Sequence, residues 1–109
     1  SIHSSEVGPT QAAVALLHRL ATAADPATLA VLDNVVIVLI PMLNPDGHRI
    51  VTDWYESTRG TPYEGGFMPW LYHKYAGHDI NRDAFMMNLA ENRNLARFFY
   101  GDWHPQVFL

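Results

Sequence analysis

A histidine and a glutamate, His3 and Glu6, lie three residues apart near the start of the sequence. On a turn, this spacing lets an imidazole nitrogen and a carboxylate oxygen face one cation, and both atoms are good ligands for zinc. A pair of this kind also arises by chance, so its surroundings decide its meaning. Gly8-Pro9 opens a helical pattern directly after the pair, and ligands in open α/β sheets bind where strands give way to helices. The pair is therefore a candidate metal site.

A tetrapeptide of turn formers, Asn44-Pro45-Asp46-Gly47, follows the apolar run over residues 35–40. Its composition predicts a tight turn. If the run is a strand, the turn lies at the carboxyl end of that strand. We expect the His/Glu pair at the same edge of the sheet.

The segment over residues 77–83 has the sequence GHDINRD and precedes a predicted helix. An arginine at the start of a helix opposes the helix dipole, which favours acidic residues there. Arg82 therefore has two interpretations. Either it pairs with Asp79 or Asp83, or it is an anion clamp, because a guanidinium group binds a carboxylate through two parallel hydrogen bonds.

Hydrophobic periodicity and turn residues predict the elements that must position these side chains. The run over residues 35–40 is apolar on both faces, which is typical of a strand covered on both sides in a parallel sheet. The predicted elements are helices over residues 10–24, 27–32 and 84–100, strands over 35–40 and 106–109, and an ambiguous segment over 48–58 that can form a short helix.

Asp83 is the expected cap of the last helix and Gly101 its expected stop. The loop over residues 59–78 is rich in Gly, Pro and aromatic residues, and a loop of this length is usually functional. Its aromatic side chains, which include Tyr72, either wall a substrate cleft or pack the loop against the sheet. The order of elements predicts an α/β fold: a partial, mostly parallel or mixed sheet with helices on both faces.

Composition excludes several classes of function. The chain has 109 residues, 49% of them hydrophobic and 17% charged, and a net charge of −4. It contains no run rich in Lys and Arg, so we expect no nucleic-acid partner. The absence of cysteine excludes a disulfide scaffold, a thiol nucleophile and Cys-ligated zinc. No apolar run approaches the roughly 20 residues of a membrane span, so none is expected.

Taken in order, these motifs resemble those of the zinc metallocarboxypeptidases of the carboxypeptidase A type. The segments over residues 77–83 and 103–106 are similar to a divergent bacterial branch of that family. The resemblance implies that residues 1–109 are a central fragment of one zinc-carboxypeptidase-like catalytic domain. The matching residues are His3, Glu6, the tetrapeptide over 44–47, Arg59, Asn81 and Arg82.

The resemblance implies a role for each of these side chains. His3 and Glu6 are two of the three ligands of a catalytic zinc ion. Arg59 polarises the scissile carbonyl and stabilises the oxyanion that forms from it. Asn81 and Arg82 hold the C-terminal carboxylate of the substrate. The expected function is zinc-dependent hydrolysis of the C-terminal peptide bond of peptides whose C-terminal carboxylate is free.

The resemblance also implies that the third zinc ligand and the general-base glutamate lie beyond Leu109. His104 is the alternative third ligand, but it precedes the predicted strand over residues 106–109 and so falls across the sheet from His3. Because two ligands make a weak zinc site, the 109-residue chain alone is expected to be inactive. Relatives in this family are commonly secreted or periplasmic.

Two other functions stay open. A related zinc amidohydrolase or deacylase would act on small acylated amino acids or cell-wall peptides with the same ligands and clamp. A deep pocket closed at Arg82 favours such small substrates, and an open groove favours peptides. A non-catalytic binding module of the same fold is the second alternative, and its metal content would distinguish it from an enzyme.

Overall fold

A computed structural model describes residues 2–70 and 73–109. Contacts divide the chain into two compact units: residues 6–43 form the first unit, and residues 2–5 with 44–109 form the second. The described residues form four α-helices and one π-helix: α1 (Val7–Ala21), α2 (Pro26–Asn34), α3 (Pro45–Thr58), α4 (Ala90–Arg97) and the π-helix (Phe98–Trp103).

The predicted α/β fold is wrong, because the described residues contain helices and no strand. The run over residues 35–40 begins in an extended conformation, with Val35 at φ −129° and ψ 128°. A strand also needs a neighbouring backbone to accept and donate its hydrogen bonds. Instead of being covered on both faces, the run is largely exposed, and Val36 keeps 78% of its surface accessible. Residues 106–109 are likewise exposed and form no strand.

The first unit contains the two helices that local sequence signals predict. Both predicted helices are confirmed, although α1 begins three residues earlier than its apolar pattern indicated. Helix α2 begins after Asp25, whose side chain accepts a hydrogen bond from the backbone N–H of Thr28 at 2.9 Å. Pro26 fills the first helical position, where its missing N–H costs nothing. Within this unit, the Thr10 hydroxyl donates to the Pro41 carbonyl at 3.2 Å.

The first helix of the second unit, α3, begins at the tetrapeptide that was predicted to form a tight turn. The tetrapeptide over residues 44–47 is the first turn of α3, so the turn prediction is wrong, whereas the helix considered over 48–58 is confirmed. The Asn44 side chain is the N-cap and accepts from the backbone N–H of Gly47 at 2.9 Å. Pro45 occupies the first helical position and Asp46 adds an acidic group to the first turn. These residue types serve a helix start as well as a turn.

The predicted helix over residues 84–100 is correct only in part. Helix α4 begins at Ala90, and the chain before it makes turns that pass through Met87 at φ 54°. Asp83 is not the residue at the helix start. Its carboxylate reaches forward six residues and accepts from the backbone N–H of Leu89 at 2.8 Å. Gly101 lies inside the π-helix and does not end a helix. The C-cap residue of the π-helix is His104, which has φ 48°.

The loop over residues 59–78 packs little of its aromatic surface. Tyr63, Phe67 and Tyr75 are largely exposed, which does not fit packing against a sheet. Trp70 contacts Trp54 of α3 edge to face, with ring centroids 5.3 Å apart. Residues 71 and 72, and with them the expectation for Tyr72, lie outside the described residues.

Burial in this chain is mainly polar. Within residues 2–70 and 73–109, Ile80 is the one apolar residue in the buried class. Hydrogen bonds between buried polar groups therefore carry much of the structural specificity of the second unit. No helix in the described part has the length and apolar character that crossing a bilayer requires. The buried polar residues are Ser4, Thr10, Asn44, Thr58, Asp83 and Asn92.

Replacing Asn44 with alanine removes the N-cap of α3 and leaves the buried N–H of Gly47 without its acceptor. We expect Asn44→Ala to lower the free energy of unfolding by about 2 kcal/mol, measured by urea denaturation. Asn34→Ala is the matched control. Asn34 is exposed and donates to Ala30 of its own helix, so a loss below about 0.5 kcal/mol is expected. Equal losses in the two variants would contradict the capping role.

Candidate functional site

The carboxylate of Asp79 joins two parts of the sequence that are 76 residues apart. Its two oxygens lie 3.0 and 3.1 Å from Nε2 of His3. The backbone N–H of Asn81 donates to the same carboxylate at 2.8 Å. Burial acts to raise the pKa of Asp79, but the hydrogen bonds from Asn81, His3 and the backbone of Arg82 outweigh it and lower the pKa. Asp79 is therefore ionised at neutral pH.

The Asp79 contact determines which nitrogen of His3 carries a proton. An ionised carboxylate only accepts hydrogen bonds, so Nε2 of His3 must be the donor. A neutral imidazole of this tautomer has its lone pair on Nδ1. Metal-ligating histidines typically donate their other ring N–H to a carboxylate or carbonyl in this way. His3 thus has the second partner that a zinc ligand requires.

The two predicted zinc ligands belong to different units of the described structure. His3 lies in the second unit, whereas Glu6 lies in the first, where it is the exposed N-cap residue of α1. Among residues 2–70 and 73–109, no three His, Asp or Glu side chains form a group that could hold a metal ion. The donor chemistry of His3 and Glu6 fits zinc, but a complete ligand set is not present in this part of the chain.

Asn81 and Arg82 are held at the backbone and exposed at the side chain. Both donate backbone N–H groups to Asp79, and both are exposed to solvent. Within the described residues, neither Asp79 nor Asp83 forms an ion pair with Arg82, because each carboxylate binds a histidine instead. The pairing interpretation of Arg82 is therefore not observed, and its guanidinium faces solvent.

Arg59 lies at the exposed end of α3. It is the C-cap residue of the helix, and its guanidinium pairs with Glu56 at 3.5 Å. The next residue is fixed by a different acid: the Gly60 N–H donates to Glu64 at 2.7 Å, and the Tyr55 hydroxyl donates to Glu64 at 2.9 Å. The hydrogen bond from Gly60, followed by that from Tyr55, lowers the pKa of Glu64.

Asp83 is completely buried and has four hydrogen-bond donors. His78 Nε2 and the Asn88 N–H lie 3.0 and 3.2 Å from one oxygen. The Leu89 N–H and Asn92 Nδ2 donate to the other at 2.8 and 3.0 Å. Burial acts to raise the pKa of Asp83, but these donors outweigh it and lower the pKa from 3.8 to about 2.

A cavity of about 700 Å³ adjoins this cluster in the second unit, and both Asn81 and His104 line it. His104 was set aside as a ligand because of its place across a sheet, a reason that fails since the described residues contain no sheet. Its Nδ1 lies 3.3 Å from the Phe99 carbonyl. The walls are formed by Ile2, Asn81, Ala84, Met87, Asn92, Leu95, Ala96, Phe99, Tyr100, His104, Pro105 and Phe108.

Sequence reasoning missed the roles of Asp79 and Asp83. Both were considered as ion-pair partners of Arg82. One signal was available: the two acids flank Asn81-Arg82 on both sides, yet a basic residue needs only one acid as partner. The partner of Asp79, His3, had no local signal because it lies 76 residues away, whereas His78 lies only five residues from Asp83.

A family model described as zinc carboxypeptidase matches residues 1–104. The chain belongs to the zinc carboxypeptidase family. Neither a search of curated proteins nor a search of solved structures returned a match. Membership confirms the resemblance drawn from the motifs, and the family consists of hydrolytic enzymes that act on peptides.

The lowered pKa of Asp83 makes the stability of the folded protein depend on pH in the acidic range. The folded-state pKa of about 2 lies below the ordinary value of 3.8, so folding favours the ionised form. Its contribution is complete above about pH 4 and is lost as the pH falls towards about 2. We expect the urea midpoint to fall over this range, and to fall less steeply in Asp83→Asn, whose amide gains no proton.

Asp53→Asn is the control for the acid titration. The Asp53 side chain is 73% exposed and pairs with Arg49 on the surface of α3. Its variant should therefore keep the slope of the unchanged protein. If the Asp83 variant also kept that slope, the buried carboxylate would not be the group that titrates.

Proposed function

We propose that this chain supplies the carboxylate clamp and two zinc ligands of a metallocarboxypeptidase that removes the C-terminal residue of peptides. The observation that supports this most is the Asp79 carboxylate, which accepts from His3 and from the backbone of Asn81. One side chain thereby links a proposed metal ligand to the proposed clamp. Family membership over residues 1–104 supplies the class of chemistry.

His3 and Glu6 are the residues that would hold zinc. When bound, zinc supplies Lewis-acid polarisation of a carbonyl and lowers the pKa of a bound water to about 7. Asp79 fixes the imidazole of His3 in one tautomer and one orientation. Its negative charge also makes the imidazole a stronger electron-pair donor to a metal ion. Outer partners of this type commonly change metal affinity or activity by about 10–100-fold.

Arg82 and Asn81 would bind the free carboxylate that defines the end of a peptide. A guanidinium group matches the two oxygens of a carboxylate and stays charged at any physiological pH. The backbone of both residues is anchored to Asp79, so the clamp keeps a constant relation to His3. Recognition of a terminal carboxylate beside the metal ligand would restrict cleavage to the last peptide bond.

Arg59 would polarise the scissile carbonyl. Oriented cationic donors at a developing oxyanion contribute about 3–4 kcal/mol to barrier lowering in comparable sites. Glu64 holds the backbone that directly follows Arg59 through its hydrogen bond with Gly60. The ion pair with Glu56 is exposed and weak, so the guanidinium can exchange it for substrate.

Exposure of Arg82 supports a peptide substrate over a small acylated amino acid. An enzyme for small substrates would close its pocket around the clamp. An exposed guanidinium leaves room for the polypeptide that precedes the C-terminal residue. The third ligand and the general base belong to the same proposal and are expected outside residues 1–109.

Metal content tests the choice between an enzyme and a binding module. We expect about one zinc per chain in the full-length protein by inductively coupled plasma analysis. His3→Ala should lower the zinc content, because it removes a ligand. His18→Ala is the control, since His18 lies on the exposed surface of α1. Absence of zinc from the unchanged protein would favour the binding module.

Substitution of Arg82 tests the clamp. Arg82→Ala should raise KM for a peptide with a free C-terminal carboxylate by about 10–100-fold, the value of a charged hydrogen bond. Zinc content should stay the same, because Arg82 is not a ligand. Arg49→Ala, which changes a side chain that is 85% exposed, should leave KM unchanged. Unchanged kinetics in Arg82→Ala would remove this residue from the site.

A further inference from the structure

Asp83 is a completely buried carboxylate to which the proposed chemistry gives no task. Burying a charge costs free energy unless several donors replace water around it. Four donors do so here, two on each oxygen. An ionised carboxylate only accepts hydrogen bonds, so it matches a cage made of donors. An asparagine of the same size would turn an NH₂ group towards two of them.

The donors come from both flanks of the clamp. His78 lies just before the segment over residues 79–82, whereas Leu89 and Asn92 belong to the start of α4. The Asn92 amide also donates to the Ile80 carbonyl at 2.7 Å, inside that segment. Asp83 thereby ties the residue before the clamp to the helix after it.

Two carboxylates therefore bracket Asn81 and Arg82. Asp79 connects the first end of the segment to His3, and Asp83 connects the second end to His78 and α4. Ile80 beside Asp79 is buried, but the Asn81 and Arg82 side chains are exposed, so few packing contacts hold these two side chains in place. Their position depends on the backbone, which is held by the hydrogen bonds of Asp79 and Asp83 and by the buried Ile80 between them.

We propose that Asp83 is a positioning residue for the Asn81–Arg82 clamp, acting through His78 and the start of α4. This inference rests on the proposed function of the clamp. The hydrogen bonds of Asp83 hold the second end of the backbone segment that carries the guanidinium of Arg82. Small displacements of a binding group cost large factors in enzyme efficiency, so loss of this anchor would weaken carboxylate recognition.

The test uses Asp83→Asn in the full-length protein, with Asp53→Asn as the matched control at an exposed site. Hydrolysis is measured on one peptide with a free C-terminal carboxylate and on the same peptide with a C-terminal amide. We expect KM for the free carboxylate to rise about tenfold in Asp83→Asn. The rate constant kcat, zinc content and the kinetics on the amide should change by less than about threefold.

Two results would overturn the inference. An unchanged KM in a folded Asp83→Asn protein would show that the clamp does not depend on this anchor. An equal loss of activity on both peptides, accompanied by a loss of zinc, would show general structural damage instead. If Asp83→Asn fails to fold, His78 provides the second pair of variants: His78→Ala should raise KM for the free carboxylate, and His78→Gln, which keeps a donor, should restore it. Equal KM values in the two His78 variants would contradict the inference.

Amide hydrogen exchange separates this inference from the proposed function. If the unchanged protein does not hydrolyse the peptide with a free carboxylate, the proposed function fails. Amide hydrogen exchange at the backbone of Asn81 and Arg82 still reports whether Asp83 holds this segment. A rise of about tenfold or more in Asp83→Asn, with α1 unchanged, supports positioning, and equal exchange in the two proteins contradicts it.

Discussion

The second unit depends on keeping a buried negative charge surrounded by donors. Asp83 has no exposed surface, and its cage draws on a histidine side chain, an amide side chain and two backbone N–H groups. In a low-dielectric surrounding, each of these hydrogen bonds is stronger than it would be in water, and each is costly to lose. Because Ile80 is the one apolar residue buried in the described part, this network does much of what a hydrophobic core does elsewhere.

The helices with local signals could be predicted from the sequence. Asp25-Pro26 marks the start of α2, and the apolar spacing before it indicates α1. Predictions that depended on contacts with distant parts of the chain were wrong. The run over residues 35–40 has the composition of a buried strand, but composition supplies no neighbouring backbone. The turn residues over 44–47 were ambiguous, because the side chain that closes a turn also caps a helix.

The last helix shows how a tertiary contact overrides a local pattern. Apolar spacing runs through residues 84–100, yet α4 begins only at Ala90. The chain turns at Met87, which brings the N–H groups of Asn88 and Leu89 back to Asp83. The Asp83 carboxylate needs hydrogen-bond donors, and it takes the N–H groups of Asn88 and Leu89, which a regular helix over residues 84–100 would have bonded to its own carbonyls. Periodicity does not register such competition.

The candidate site was predictable as a set of residue types and only partly as an arrangement. His3, Asn81 and Arg82 were selected from their chemistry, and the structure connects them through Asp79. The contact between His3 and Asp79 spans 76 residues, so no local sequence pattern predicts it. Glu6 is the N-cap residue of α1 in the first unit, and Arg59 is the C-cap residue of α3 in the second. Their roles rest on the proposal rather than on proximity.

The exposed run over residues 35–40 has a practical consequence for anyone handling the protein. The run has six consecutive apolar residues, rich in β-branched side chains and without a charge or proline, and all of them except Leu39 are exposed to solvent. Windows of this composition pair with copies of themselves and start aggregates. A charged replacement at the most accessible residue of the run, Val36→Lys, should therefore reduce the tendency of this chain to aggregate in solution.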